Sequence, residues 1–73
     1  MQPNVTPANW LKNYRWVQTG TIPGGVVWEH PQKPNNEIHL YDDGRIEHYV
    51  KDHKIAVIDR KNMQAYLTKL HYY

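Results

Sequence analysis

The chain has 73 residues, with nine Lys or Arg, seven Asp or Glu, five His, a formal net charge of +2 and no cysteine. That length suits one domain near the lower limit for an unaided core, and the missing cysteines exclude a disulfide-dependent miniprotein or a thiolate zinc site. Its apolar runs are a few residues long, far short of the ~20 needed to cross a bilayer, and the polar start MQPNVTPAN is unlike a signal peptide, so a cytoplasmic protein with no membrane partner is expected.

The stretch VTPANWLKNYRWVQTGTIP (Val5 to Pro23) predicts a first helix from about Pro7 to about Thr19. Thr6 suits the N-cap, Pro7 the first helical position, and Val5 with Trp10 the staple positions. Gly20 suits a left-handed C-terminal cap and Pro23 blocks resumption. Helical spacing gathers Trp10, Leu11, Tyr14 and Val17 on one apolar face, with Asn9, Lys12, Arg15, Trp16 and Thr19 opposite. Residues 1–28 contain Lys12 and Arg15 and no acid. A basic, acid-free face holding an aromatic suits a phosphate backbone or base edges, while packing beneath the following loop is the other reading of Trp16.

Gly24-Gly25 makes a turn, Val26-Val27-Trp28 a short strand ending near His30-Pro31, and PQKPNN (31–36) a loop. Asp42-Asp43-Gly44 reads as a three-residue hairpin loop with Gly44 in the left-handed bulge position. Tyr41 then faces Arg45, Leu40 faces Ile46 and Ile38 faces His48. Ile38, Leu40, Ile46, His48 and Val50 share one side, and Glu37, His39, Tyr41, Arg45, Glu47 and Tyr49 the other, where His39 faces Glu47. KDHK (Lys51 to Lys54) is a polar corner before a short strand, Ile55 to Ile58, expected to be buried on both sides. Asp59 caps a second helix with Ile58 and Met63 as its staple, and Met63, Tyr66, Leu67 and Leu70 form its apolar stripe, packed against the sheet and first helix. The expected fold is α+β: N-terminal helix, a small antiparallel sheet with a wing-like hairpin, and a C-terminal helix.

Two runs, YRWVQTGTIPGG (Tyr14 to Gly25) and KIAVIDRKNMQAYL (Lys54 to Leu67), resemble excisionase-type and MerR-like winged helix-turn-helix proteins. The first is similar to the end of their recognition helix, where R-W-x-x-x-G-x-I-P leads into the wing, and the second to the wing-exit strand and following helix. The resemblance implies that Arg15 and Trp16 match the Arg-Trp of the helix, Gly20, Ile22 and Pro23 the turn, and Arg60 the basic residue after the wing. It further implies a recognition helix in the major groove and a wing on neighbouring backbone or minor groove, within one winged-helix-like domain over residues 1–73. Two departures accompany it: only about five residues precede the helix, and the stretch between the runs holds the whole 37–50 hairpin.

Together these features predict a small non-enzymatic protein that binds double-stranded DNA. It would be excisionase-like, an accessory to recombination with a recombinase or another protein beside it, or a repressor encoded by a phage or mobile element. Asn9, Lys12, Arg15, Trp16 and Thr19 would enter the major groove, with Arg45, Lys51, His53, Lys54 and Arg60 on flanking phosphates. The rival is a small phage or plasmid protein-binding module or inhibitor of a host protein, anchored by Trp16, Trp28 and the Tyr-rich hairpin. No cofactor is implied. Zinc wants three or four ligands and His39 with Glu47 offers two, so the histidines are not read as a metal site, and His48 is read as a satisfied core residue or a rim residue. The chain has no Ser or Cys nucleophile, and Gly24-Gly25 lacks a strand-to-helix phosphate-loop context. Protonation of all five His would raise the charge to at most about +7 and favour an anionic partner in mild acid.

Overall fold

A computed structural model describes residues 6–72. The first helix, α1, spans Pro7–Asn13. It begins as expected: Pro7 occupies the first turn and Thr6 Oγ1 accepts from the Asn9 N–H at 3.2 Å. Val5, the staple partner assigned to Trp10, lies outside the described residues. The helix ends six residues earlier than expected. Arg15 adopts a left-handed backbone (φ 72), the Arg15 N–H donates to Lys12 O at 3.1 Å, and the Trp16 N–H donates to Leu11 O at 2.9 Å. That pair of bonds is a Schellman cap with an arginine where glycine is usual, and its accompanying apolar contact joins the third-last helical residue to the one after the left-handed position. Leu11 and Trp16, both buried, fill those two places. Burying Trp16 therefore decides where the helix stops, and Gly20 and Pro23 serve other purposes.

The five strands are β1 (Val17–Ile22), β2 (Gly25–His30), β3 (Lys33–Tyr41), β4 (Ile46–Val50) and β5 (His53–Val57). They form one antiparallel sheet in the order β1-β2-β3-β4-β5. The segment expected as the second half of the helix is thus the edge strand β1, and Val17, assigned to the apolar helix face, is 52% exposed. Pro23 followed by Gly24 at φ 77 turns the chain from β1 to β2, as Pro then Gly do in a type II turn. Gly25 is required for a different reason: a Cβ there would lie 2.3 Å from Leu40 O. Of the expected 31–36 loop only Pro31 and Gln32 remain outside strands.

The 37–50 hairpin has the expected register, with Leu40 opposite Ile46, His39 opposite Glu47 and Ile38 opposite His48. Tyr41 N–H donates to Arg45 O at 2.9 Å across the Asp42-Asp43-Gly44 loop, and Gly44 takes φ 96. Lys51 and Asp52, both at positive φ (51 and 68), make the two-residue turn into β5. This strand corrects a second expectation: Ile55 is 56% and Val57 64% exposed, because β5 is an edge and helices cover only one face of the sheet.

A 3-10 turn, Arg60–Asn62, leads into α2, Met63–Tyr72. Asp59 stands at the cap position, but its side chain makes no cap hydrogen bond. Ile58 and Met63 are both buried, as their staple positions require. The core comprises Leu11, Trp16, Trp28, Ile38, Ile46, Ile58, Met63 and Leu67, with Tyr66 and Leu70 packed at its margin. The two helices meet through Tyr14, whose hydroxyl donates to Thr68 Oγ1 at 2.6 Å while Thr68 donates to Gln64 O at 2.7 Å.

Candidate functional site

The ten residues expected to contact DNA occupy five separate places. Asn9, Lys12 and Arg15 are exposed on and just after α1. Trp16, placed on the same face by helical spacing, is 3% exposed and belongs to the core. Its ring is held edge-on by His30 at 5.2 Å and by His48 at 6.5 Å. The packed reading of Trp16 therefore holds, with histidines in place of the loop as its neighbours. Thr19 sits on β1 and donates to Glu29 Oε2 at 3.1 Å, away from α1.

Arg45 and Lys54 lie on the sheet face that no helix covers. Arg45 pairs with Asp43 at 3.0 Å and stacks its guanidinium 4.3 Å over the Tyr41 ring. Lys54 donates to Glu47 Oε2 at 3.4 Å, and Tyr49 OH donates to Glu47 Oε1 at 2.9 Å. Glu47 is 3% exposed although its face is open. Burial pushes its carboxyl up, but the Tyr49 and Tyr41 hydroxyls and Lys54 together hold it below the ordinary carboxylate value. Because it donates to the Glu47 carboxylate, the Tyr49 hydroxyl is pushed up to about 12. His39 does not bond Glu47 opposite it: its Nε2 reaches Glu37 at 2.8 Å and its ring stacks on Tyr49 at 4.1 Å. The cations on this face are thus engaged with its carboxylates, an arrangement the sequence hints at only through the register that puts Tyr41, Glu47 and Tyr49 on one side.

The partners of His30 require a neutral ring, and burial favours the same form at His48. His30 Nε2–H donates to Tyr14 O at 3.0 Å while Nδ1 accepts the Gln32 N–H at 3.1 Å. His48 Nε2–H donates to Asn36 Oδ1 at 2.7 Å while Nδ1 accepts from Tyr66 OH at 2.6 Å. Burial lowers the pKa of both, and Lys33, His71 and Arg15 add repulsion at His30. Mild acid therefore adds less charge than five free histidines would.

Lys51, His53 and Arg60 are exposed along the turn into β5 and the exit from it, beside the feature that sequence reasoning missed. Among the described residues, the last strand has no pairing partner on its outer side. Ile58 N–H donates inward to Ile46 O at 2.8 Å, so the alternation of an antiparallel ladder turns the N–H and C=O of Val57 toward the free edge. Below that edge an open groove of about 400 Å³ is lined by Val57, Ile58, Asp59 and Asn62 on one side and Ala65, Tyr66 and Lys69 of α2 on the other. Exposed apolar side chains, free backbone groups and a groove are thereby combined at one place. No group of three or more His, Cys, Asp or Glu stands ready for a metal among the described residues, and no helix among them is long and apolar enough to cross a membrane. No family model, curated protein or solved structure matches the chain.

Proposed function

We infer that the protein is a non-enzymatic protein-binding module that takes an extended segment of another protein along β5. The observation that carries this reading is the unpaired β5 edge, with Ile55 and Val57 exposed and a groove beneath it closed by α2. A sheet edge offers main-chain hydrogen bonds to any extended chain, and pockets for alternate side chains supply selectivity. Natural edges that bind nothing are commonly blunted by charge. Here the one lysine within the strand, Lys54, is drawn onto Glu47 at 3.4 Å, leaving Ile55 and Val57 uncovered.

The test uses the nitrogen-labelled protein titrated with synthetic peptides of alternating apolar and polar residues. Amides of residues 55–58 are expected to shift and to gain exchange protection, and Val57→Pro is expected to remove both effects. The Val57 N–H faces outward, so proline there deletes an edge donor and no ladder bond, as edge strands tolerate. Peptide-induced shifts elsewhere, or none, overturn the reading.

One observation favours a second reading, duplex DNA bound through the end of α1. Lys12 and Arg15 are exposed with no ion pair among the described residues, and Arg15 lies with Lys33 and His71 in a like-charged group around His30. In that reading the protein serves as an accessory to a recombinase or as a repressor. With about four to six phosphate contacts, binding falls with salt at a log-log slope of roughly −4 to −5, whereas binding along β5 leaves generic duplex unbound at moderate salt.

A further inference from the structure

His30 ties together one corner of the molecule. It closes β2, pairs with Lys33 across the Pro31-Gln32 turn and is buried. Both ring nitrogens are engaged: Nε2–H donates to Tyr14 O at the end of α1, and Nδ1 accepts the Gln32 N–H at 3.1 Å. An accepting nitrogen carries no proton, so this joint exists only for the neutral ring. The same ring stands edge-on to Trp16 at 5.2 Å, the residue whose burial stops α1. Cations surround it: Arg15 after α1, Lys33 on β3 and His71 on α2, whose ring lies 5.5 Å from that of Tyr14. Glu29, the carboxylate next to it in sequence, accepts instead from Thr19. His48, the second ring edge-on to Trp16, is bonded to Asn36 and Tyr66. Arg15, beside the joint, holds a strained left-handed backbone at φ 72.

From this geometry we propose that His30 is an acid-sensitive latch: a proton taken up at Nδ1 breaks the joint with Gln32, opens the corner between the end of α1 and the β2–β3 turn, and uncovers Trp16 while β4 and β5 stay folded. The proton occupies the lone pair that holds the Gln32 N–H, so two N–H groups then oppose one another at a buried place. Tyr14 O still accepts from Nε2–H, so the joint fails first at Gln32. The imidazolium also meets Arg15, Lys33 and, once protonated, His71, and water solvates it better than this corner does. Turning outward, the ring leaves Trp16 and relieves the strain at Arg15. Burial, and after it the repulsion from Lys33, His71 and Arg15, outweighs the raising effect of the Tyr14 bond and holds the His30 pKa below 6.5. The latch is therefore closed at neutral pH. It opens below the ordinary histidine range, where the open form binds the proton that the closed form refuses.

Amide hydrogen exchange of the nitrogen-labelled whole protein between pH 7.5 and 5, corrected for intrinsic rates, tests this. Protection at Gln32 and at Trp16, whose N–H donates to Leu11 O, is expected to fall by up to about tenfold per pH unit below the transition, the limit for one linked proton. Ile58, whose N–H donates to Ile46 O, is expected to remain at least about tenfold better protected than either at pH 5. His30→Gln, whose amide donates and accepts without titrating, is expected to abolish the acid-dependent loss, and His48→Gln to leave it in place. Lys33→Gln removes one flanking charge and is expected to move the transition to higher pH by about 0.2–0.7 unit, the size of one partly exposed charge pair; this shift decides the matter if His30→Gln does not fold. Equal loss at Gln32, Trp16 and Ile58 marks global unfolding and overturns the latch. Protection unchanged down to pH 5, a loss that persists in His30→Gln, or a transition that Lys33→Gln does not move overturns it equally.

Discussion

Arg15 holds a left-handed backbone at φ 72 that a glycine would adopt without strain. A side chain in that region costs about 1–2 kcal/mol, offset in part by the extra freedom that glycine loses on folding, about 0.5–1 kcal/mol. Arg15→Gly is therefore expected to stabilise the fold by about 0.5–1 kcal/mol, read as a higher urea midpoint at unchanged slope. The same variant, with Arg15→Ala beside it, tests the DNA reading: a gel-shift midpoint weakened by about 1–3 kcal/mol supports a role for the guanidinium, and an unchanged midpoint removes it. His48 gives a second prediction at this scale. Its folded pKa is lowered from 6.5 by burial, as is that of His30, also by burial first. The unfolded chain consequently binds more protons than the folded one once pH drops below about 6.5. The histidine contribution is fully present above that value and is lost as pH falls toward the folded pKa. Urea midpoints at pH 7.5 are expected to exceed those at pH 5, and His48→Gln is expected to shrink the difference; a midpoint independent of pH across this range contradicts the neutral assignment.

Whole elements differ in how far local chemistry specifies them. The 37–50 hairpin was legible because Asp42-Asp43-Gly44 sets its turn and alternation sets its faces, both read within a few residues. The stripe on α2 was legible for the same reason. The length of α1 was not, because its stop depends on Trp16 entering a core shared with Trp28 and Ile38, which are distant in sequence. Gly20 and Pro23 looked like helix punctuation but belong to β1 and the turn after it. The exposure of Ile55 and Val57 was illegible too, since an apolar run reads alike on a central and an edge strand until the strand order is known. Of the candidate site, Lys51, His53, Lys54 and Arg60 stood out in the sequence, but none of them lines the groove, which exists only once α2 packs beside β5. The turn at Lys51-Asp52 carries two non-glycine residues at positive φ (51 and 68), where Asn-Gly is the favoured pair. Replacing the pair by Asn-Gly is expected to raise stability by about 1 kcal/mol, measured by thermal unfolding, with the β5 peptide affinity unchanged because neither side chain lines the groove.

At the scale of the molecule, the two sheet faces are covered by different means. Both helices lie over one face, while on the other the tyrosines, Arg45 and Lys54 close over Glu47. Its two edges differ as well. The β1 edge, VQTGTI, exposes one large apolar side chain, Val17, whereas β5 exposes two, Ile55 and Val57, which makes β5 the edge with more apolar surface to bury. At 73 residues the stability available is of order 4–11 kcal/mol, supplied mainly by one layer of side chains between sheet and helices. Leu67, fully buried on α2, belongs to that layer, and Val57 does not. Leu67→Ala is therefore expected to remove about 2–5 kcal/mol, lowering the urea midpoint sharply and weakening peptide binding only in step with the folded fraction. Val57→Pro is expected to change stability by no more than about 1 kcal/mol while losing peptide binding at full folding. If the two variants lose binding only in proportion to unfolding, the β5 edge is a structural margin of the sheet and has no part in recognition.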